Sequence, residues 1–153
     1  EESYRFEYDN KNYLLEKGEI GEPAWYSAEQ CARTAHQLVN TPYLWGGRNF
    51  MGIDCSGFTQ VVYQVNNVQL PRNASQQVHV GTEVSSLEEA RVGDLAFFAR
   101  AGGNISHVGL LLSQHTIIHA SGNVHIDAID AKGICTGKQE YSHFLAAIRR
   151  IKE

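Results

Sequence analysis

The sequence predicts an α+β domain in which helices come first and an antiparallel sheet of about five strands follows. Three observations carry this expectation. Between Ser27 and Val65 the apolar residues recur at helical three- and four-residue spacing. From Gly93 the pattern changes to short apolar runs separated by turn residues. The chain of 153 residues, 42% hydrophobic and 20% charged, is long enough for one sizeable core and too short for two ordinary ones. Helices followed by a strand meander fit an antiparallel sheet rather than alternating strand-helix units.

Residues 1–24 stand apart. Tyr4, Phe6 and Tyr8 alternate with charged residues, Asp9-Asn10-Lys11-Asn12 reads as a turn, and Gly18, Gly21 and Pro23 punctuate a linker. A hairpin arm, or the tail of a preceding domain, is expected there, with the main domain over 25–153. Ser27 caps a helix, Gln30 completing a capping box, and Ala28, Cys31, Ala32, Ala35, Leu38 and Val39 form its apolar face up to Asn40-Thr41-Pro42. Cys31 is read as structural, and His36 lies beside that face without a task.

A turn-rich segment, Pro42 to Asp54, leads into a second helix with Phe58, Val61, Val62 and Val65 on one face. Pro71 makes Leu70 extended. A short helix is expected over 74–80, capped by Asn73 and closed by Gly81, with a helical turn over 85–90. Strands are predicted at 95–99, 108–112, 116–120, 124–129 and 145–151, with a loop over 131–137. No internal repeat or low-complexity tract interrupts this order.

Composition excludes several classes of partner. A net charge of −4 and a pI near 6.0, with no basic cluster beyond Arg149-Arg150, give no attraction to nucleic acid or anionic lipid. No apolar run is long enough to span a bilayer, and the start at Glu1-Glu2 suggests a mature or excised piece. Cys31, Cys55 and Cys135 are far apart, with neither a disulfide framework nor a zinc-knuckle pattern. The triplets at Asn73 and Asn104 fit the glycosylation sequon, a short pattern that arises often by chance.

The chemistry centres on Cys55, in the first turn of the second helix. Unpaired N–H groups and the helix dipole there favour a thiolate, the nucleophilic form of cysteine, although most cysteines are small buried hydrophobes. Among seven histidines, His107 opens one predicted strand and His119 ends the next. An antiparallel hairpin makes them neighbours at one edge. That arrangement suits a relay in which Cys55 attacks, one imidazole moves the proton and the second group orients it. The plain alternative is a pair of strand-end histidines bonded to backbone carbonyls. Zinc held by Cys55, His107 and His119 is the other alternative, and it lacks a close-spaced ligand pair. His79, His115, His125 and His143 are given no role.

Several motifs in order carry a resemblance: Pro42-Tyr43-x-Trp45-Gly46-Gly47, Asp54-Cys55-Ser56-Gly57-Phe58, Leu70-Pro71-Arg72 with Gln76-Gln77, Gly93-Asp94-Leu95-x-Phe97-Phe98, Ser106-His107-Val108-Gly109 and Ile118-His119-Ala120-Ser121. From about residue 28 to the C-terminus the chain resembles the NlpC-type cell-wall peptidases, which are papain-like cysteine enzymes. The resemblance implies Cys55 as nucleophile, His107 as base and then acid, His119 as the group orienting it, and Tyr43 as an oxyanion ligand beside the Cys55 N–H. It implies Asp54 and Ser56 as ligands for the amine of a leading L-alanine, a role that competes with plain helix capping by Asp54. Arg72 and Gln76 match the cleft wall, where a solvated arginine is the alternative. Trp45, placed with the substrate site, is expected to pack under the Gly46-Gly47 turn.

The implied function is hydrolysis of the bond between γ-D-glutamate and the diamino acid, diaminopimelate or lysine, of bacterial peptidoglycan stem peptides or muropeptides. No metal or organic cofactor is required. A monomer acting in the cell envelope, periplasm or outside the cell is expected, with cytoplasmic recycling as an alternative. The competing functions are another papain-like amidase or acyl transferase acting on the wall, and a catalytically silent wall-binding module. Family members often carry bacterial Src-homology-3-like domains in front, and the resemblance makes residues 1–24 either the tail of one or merely an arm.

Overall fold

A computed structural model of the chain describes residues 3–16, 26–99, 103–135 and 140–152. The N-terminal segment forms the expected hairpin, β1 (Ser3–Tyr8) and β2 (Lys11–Glu16). Its turn is Asp9-Asn10, both with positive φ (51° and 54°), the pair of left-handed residues a tight primed turn needs. The predicted linker lies outside the described residues.

Helix α1 (Ala28–Gln37) starts where the capping pattern puts it: the Ser27 side chain accepts the Gln30 N–H and donates to Glu29, while the Gln30 side chain accepts from Arg33 instead of reaching back to the Ser27 N–H. Cys31 and Ala35 are buried, and Leu38 already caps the end. A small ladder of β3 (Arg48–Asn49) and β4 (Gly52–Ile53) folds the turn-rich segment back on itself before helix α2 (Cys55–Val65) begins. Asp54 caps α2 by accepting the Gly57 N–H at 2.7 Å. Helix α3 (Ala74–Gln77) is shorter than expected, and a single 3-10 turn spans Leu87–Glu89.

The main sheet departs from the expectation in closure. Its strands are β5 (Thr82–Glu83), β6 (Leu95–Ala99), β7 (Ile105–Leu111), β8 (Thr116–Ser121), β9 (Asn123–Asp130), β10 (Gly133–Cys135) and β11 (Tyr141–Arg150), all antiparallel. The order is β10-β9-β8-β7-β6-β11-β5, and β10 also pairs with β11, so six strands close on themselves. The predicted 131–137 loop therefore contains a strand. Its three residues are too few to show alternation, yet Ile134 is fully buried and pairs on both sides.

Two apolar clusters use opposite faces of the same strands. Leu95, Phe97, Leu110 and Ile118 pack with Phe58, Val62 and Tyr63 of α2. Ala96, Phe98, Leu111, Ile117 and Ile134 form the other cluster. Strand β6 is buried on both faces, which explains its unbroken Leu-Ala-Phe-Phe run. Each large side chain removed from water contributes about 1.5–3 kcal/mol, so this double core fixes α2 against β7 and β8. Asp94, buried beside β6, is held by Arg150 at 3.0 and 2.8 Å.

Candidate active site

Cys55 sits where α2 abuts β7. Glycine permits the approach: a Cβ on Gly57 would lie 2.3 Å from the Gly47 carbonyl oxygen, so the first turn of α2 can rest on the preceding segment only without a side chain there. The thiol is 8% exposed, and the backbone N–H groups of Val108, Ser56 and Cys55 point at its sulfur. Burial nevertheless pushes the thiol pKa above its ordinary value, and the neighbouring Asp54 carboxylate pushes it further. This corrects the expectation of a thiolate at rest. The helix start supplies its N–H groups, but desolvation and the capping carboxylate outweigh them.

The histidines meet as the hairpin pattern predicts. Strands β7 and β8 pair Gly109 with His119, and a Cβ on Gly109 would lie 2.8 Å from His119 Cβ, so the glycine lets the strands carry this bulky partner. A register shift between β6 and β7 falls beside His107, the kind of bulge that re-aims a side chain. His107 Nε2 lies 2.8 Å from His119 Nδ1, and His119 Nε2 lies 3.1 Å from Asp127 Oδ2.

The carboxylate fixes the protons along this line. Ionised Asp127 only accepts, so His119 carries its hydrogen on Nε2 and presents a lone pair at Nδ1. His107 then donates from Nε2 and keeps its own lone pair on Nδ1. Both rings are neutral. Burial drives the His107 pKa well below its ordinary value, aided by His143, His119 and His125. Burial also brings His119 down to about 4, against the upward pull of Asp127.

Three groups that sequence reasoning left without a task touch this line. His143 stacks on His107 with ring centroids 4.0 Å apart. His125 Nε2 lies 3.1 Å from Asp127 Oδ2, and its Nδ1 is 2.9 Å from the Asn123 carbonyl oxygen. Asp127 itself was not singled out. The signal was the β8–β9 register: with Ser121 opposite Asn123, His119 faces His125, and Asp127 follows two residues later on the same face.

Two adjoining hollows flank the centre, of about 470 and 530 Å³, and share Tyr43, Trp45 and Ser106. The first reaches Cys55, Asp54, Ser56 and Arg72; the second reaches His107 and His143. Half-buried Tyr43 stands between them, its N–H bonded to the Gly122 carbonyl at 2.8 Å. Trp45 does not pack under the glycine turn as expected. It is 84% exposed, because Gly46 turns the chain at φ +82° and leaves the indole on the rim of both hollows.

Asp54 and Ser56 are already engaged. The carboxylate accepts from the Gly57 and Gly46 N–H groups and from both terminal nitrogens of Arg72, whose Nη1 also lies 3.0 Å from Ser56 Oγ. These bonds hold the Asp54 carboxyl below its usual range despite burial. Arg72 is held in reach by Gln77, fully buried, which donates to the Ser56 and Pro71 carbonyls and accepts from Thr59. Gln76, its neighbour in the same motif, bonds the Asn73 N–H at 3.3 Å instead.

A sequence model of the NlpC/P60 family matches residues 40–141. A probable endopeptidase of Haemophilus influenzae is 37% identical over 117 residues, covering 74% of this chain and 71% of the relative. A gamma-D-glutamyl-L-lysine dipeptidyl-peptidase of Bacillus subtilis is 38% identical over 96 residues, 61% of this chain but only 32% of that enzyme. The crystal structure of an NlpC/P60 family protein from Bacillus cereus superposes with a TM-score of 0.77 at 27% identity, covering 97% of this chain and 50% of the other. The extent of the family match, spanning Cys55, His107, His119 and Asp127, places this chain in the NlpC/P60 family.

Proposed function

We propose that the chain is a cysteine peptidase that hydrolyses the γ-D-glutamyl bond to the diamino acid in peptidoglycan stem peptides, and that it works in the cell envelope. The observation that carries this reading is the line Asp127–His119–His107, with the N–H of Val108, the residue after His107, beside the Cys55 thiol at the start of α2. The curated relative named for this same bond supports the choice of substrate. Among the described residues no helix is long and apolar enough to cross a membrane.

In the proposed reaction His107 Nδ1 takes the Cys55 proton as the sulfur attacks the γ-carbonyl carbon. The oxyanion is held by the Cys55 N–H and the Tyr43 hydroxyl. The His107 imidazolium then protonates the departing amine of the diamino acid, leaving a thioester on Cys55. Water gives a proton to His107, attacks the thioester and releases the γ-carboxylate with the thiol restored. A neutral thiol beside a neutral imidazole makes proton transfer part of the attack rather than a step before it.

Asp54 and Ser56 are proposed to hold the free amine of a leading L-alanine, the ammonium exchanging for the Arg72 guanidinium on one carboxylate. The full engagement of Asp54 by Arg72 favours a second reading, in which substrates without that amine, such as intact wall, are accepted with Arg72 in place. Trp45 forms the outer wall of either path. Mass spectrometry of the products from L-Ala-γ-D-Glu-diaminopimelate and from purified sacculi tests both. Release of L-Ala-D-Glu and free diaminopimelate is expected from the tripeptide, and glycan strands ending in L-Ala-D-Glu with peptides that begin at the diamino acid from sacculi; cleavage at the sugar-peptide junction, or no cleavage of either substrate, would overturn the proposal.

A further inference from the structure

The rear of the histidine line has the make-up of a metal site. One ligand atom each from His119, His125 and Asp127 lie within 4.8 Å of one another, and Asp127 Oδ2 is 3.1 Å from the Nε2 of both histidines. A tetrahedral zinc ion with bonds near 2.0–2.1 Å sets its ligands about 3.3 Å apart, so two of the three separations nearly match already. The strands impose the arrangement: His119 and His125 are cross-strand partners, and Asp127 follows on the same face of β9.

The outer contacts have the form that metal-bound histidines use. His125 Nδ1 lies 2.9 Å from the Asn123 carbonyl, an acceptor, which places the hydrogen on Nδ1 and the lone pair on Nε2 in the neutral ring. That lone pair faces the Asp127 carboxylate, which also only accepts. A divalent ion placed between the two would satisfy both the ring lone pair and the carboxylate. Access comes from the outside, since Asp127 and His125 are 22% and 32% exposed while His119 is 1% exposed.

We propose that His119, His125 and Asp127 form a zinc site whose occupation switches off the proposed peptidase by reversing the hydrogen bond between its two histidines. Zinc displaces the proton on His119 Nε2, and the neutral ring then carries its hydrogen on Nδ1. From there it donates to His107 Nε2. The proton that His107 held on Nε2 is replaced by one on Nδ1, so the number of protons on the two rings is unchanged. His107 Nδ1 now has no lone pair for the Cys55 proton. The inhibition rests on the mechanism proposed above; the metal site does not.

Calorimetric titration of the whole chain with zinc chloride tests the site, and the visible absorption of added Co(II) reports its geometry. One equivalent should bind. His125→Ala and Asp127→Asn should each weaken binding by about tenfold or more, whereas Cys55→Ser should leave it within about twofold. Loss of binding in Cys55→Ser but not in His125→Ala would place the metal on the nucleophile and overturn the proposal, as would the absence of stoichiometric binding in the unaltered chain. Zinc should also inhibit peptide cleavage reversibly, with the inhibition constant weakened in His125→Ala by the same factor as the binding constant. Binding without inhibition would overturn the switch. A metal-free chain that binds zinc but cleaves nothing would count against the peptidase reading while upholding the site.

Discussion

At the scale of single residues, the centre depends on where neutral groups keep their protons. His107 and His119 are buried too deeply to hold a charge cheaply, so the direction of their hydrogen bond is set by whichever outer group is obliged to accept, and that group is Asp127. Replacing Asp127 with Asn removes the obligation. The amide can donate to His119 Nε2, which moves the ring hydrogen to Nδ1 and takes the lone pair from His107. Asp127→Asn is expected to lower kcat by about a hundredfold or more with KM little changed, and Asp127→Glu to recover part of the loss. Equal losses in both variants, or a change confined to KM, would mean that Asp127 does not set the proton positions. Steady-state kinetics on one γ-D-glutamyl peptide decides it.

At the scale of elements, the sequence was most readable where a pattern is local. The Ser27 and Asp54 caps, the apolar stripes of α1 and α2 and the apolar run of β6 all lie within a few residues of the features that specify them. The meeting of His107 with His119 followed from one hairpin. What escaped depended on partners far along the chain. The three residues of β10 are a strand because β9 and β11 flank them, and the exposed pair Thr82–Glu83 is a strand because the end of β11 reaches it. Asp127, His125 and His143 joined the centre through cross-strand register and barrel closure, neither of which leaves a mark in local composition. The resting state of Cys55 was misjudged for a related reason. A helix start is legible in sequence, whereas the burial that opposes it is a property of the packed site.

At the scale of the whole molecule, burying neutral histidines makes stability depend on pH. The folded pKa of His119, about 4, lies below the unfolded value near 6.5, so the unfolded chain binds more protons between those limits. Stability is therefore greatest above pH 6.5 and falls as the pH drops toward 4, by roughly 3 kcal/mol from His119 alone, with His107 adding in the same direction. Thermal melts at pH 7 and pH 4.5 should differ by several degrees, roughly 5–10 °C, and a flat profile would contradict neutral burial. The same closed sheet that buries these rings holds α2 against β7, where the N–H of Val108, next after His107, lies beside the Cys55 thiol. The central claim is that this thiol is the nucleophile. It is tested most directly by following cleavage of L-Ala-γ-D-Glu-diaminopimelate by the unaltered chain and by Cys55→Ala, with melting temperature as the control for folding. The account predicts cleavage by the former and none above background by a folded Cys55→Ala; undiminished cleavage by the variant would contradict it.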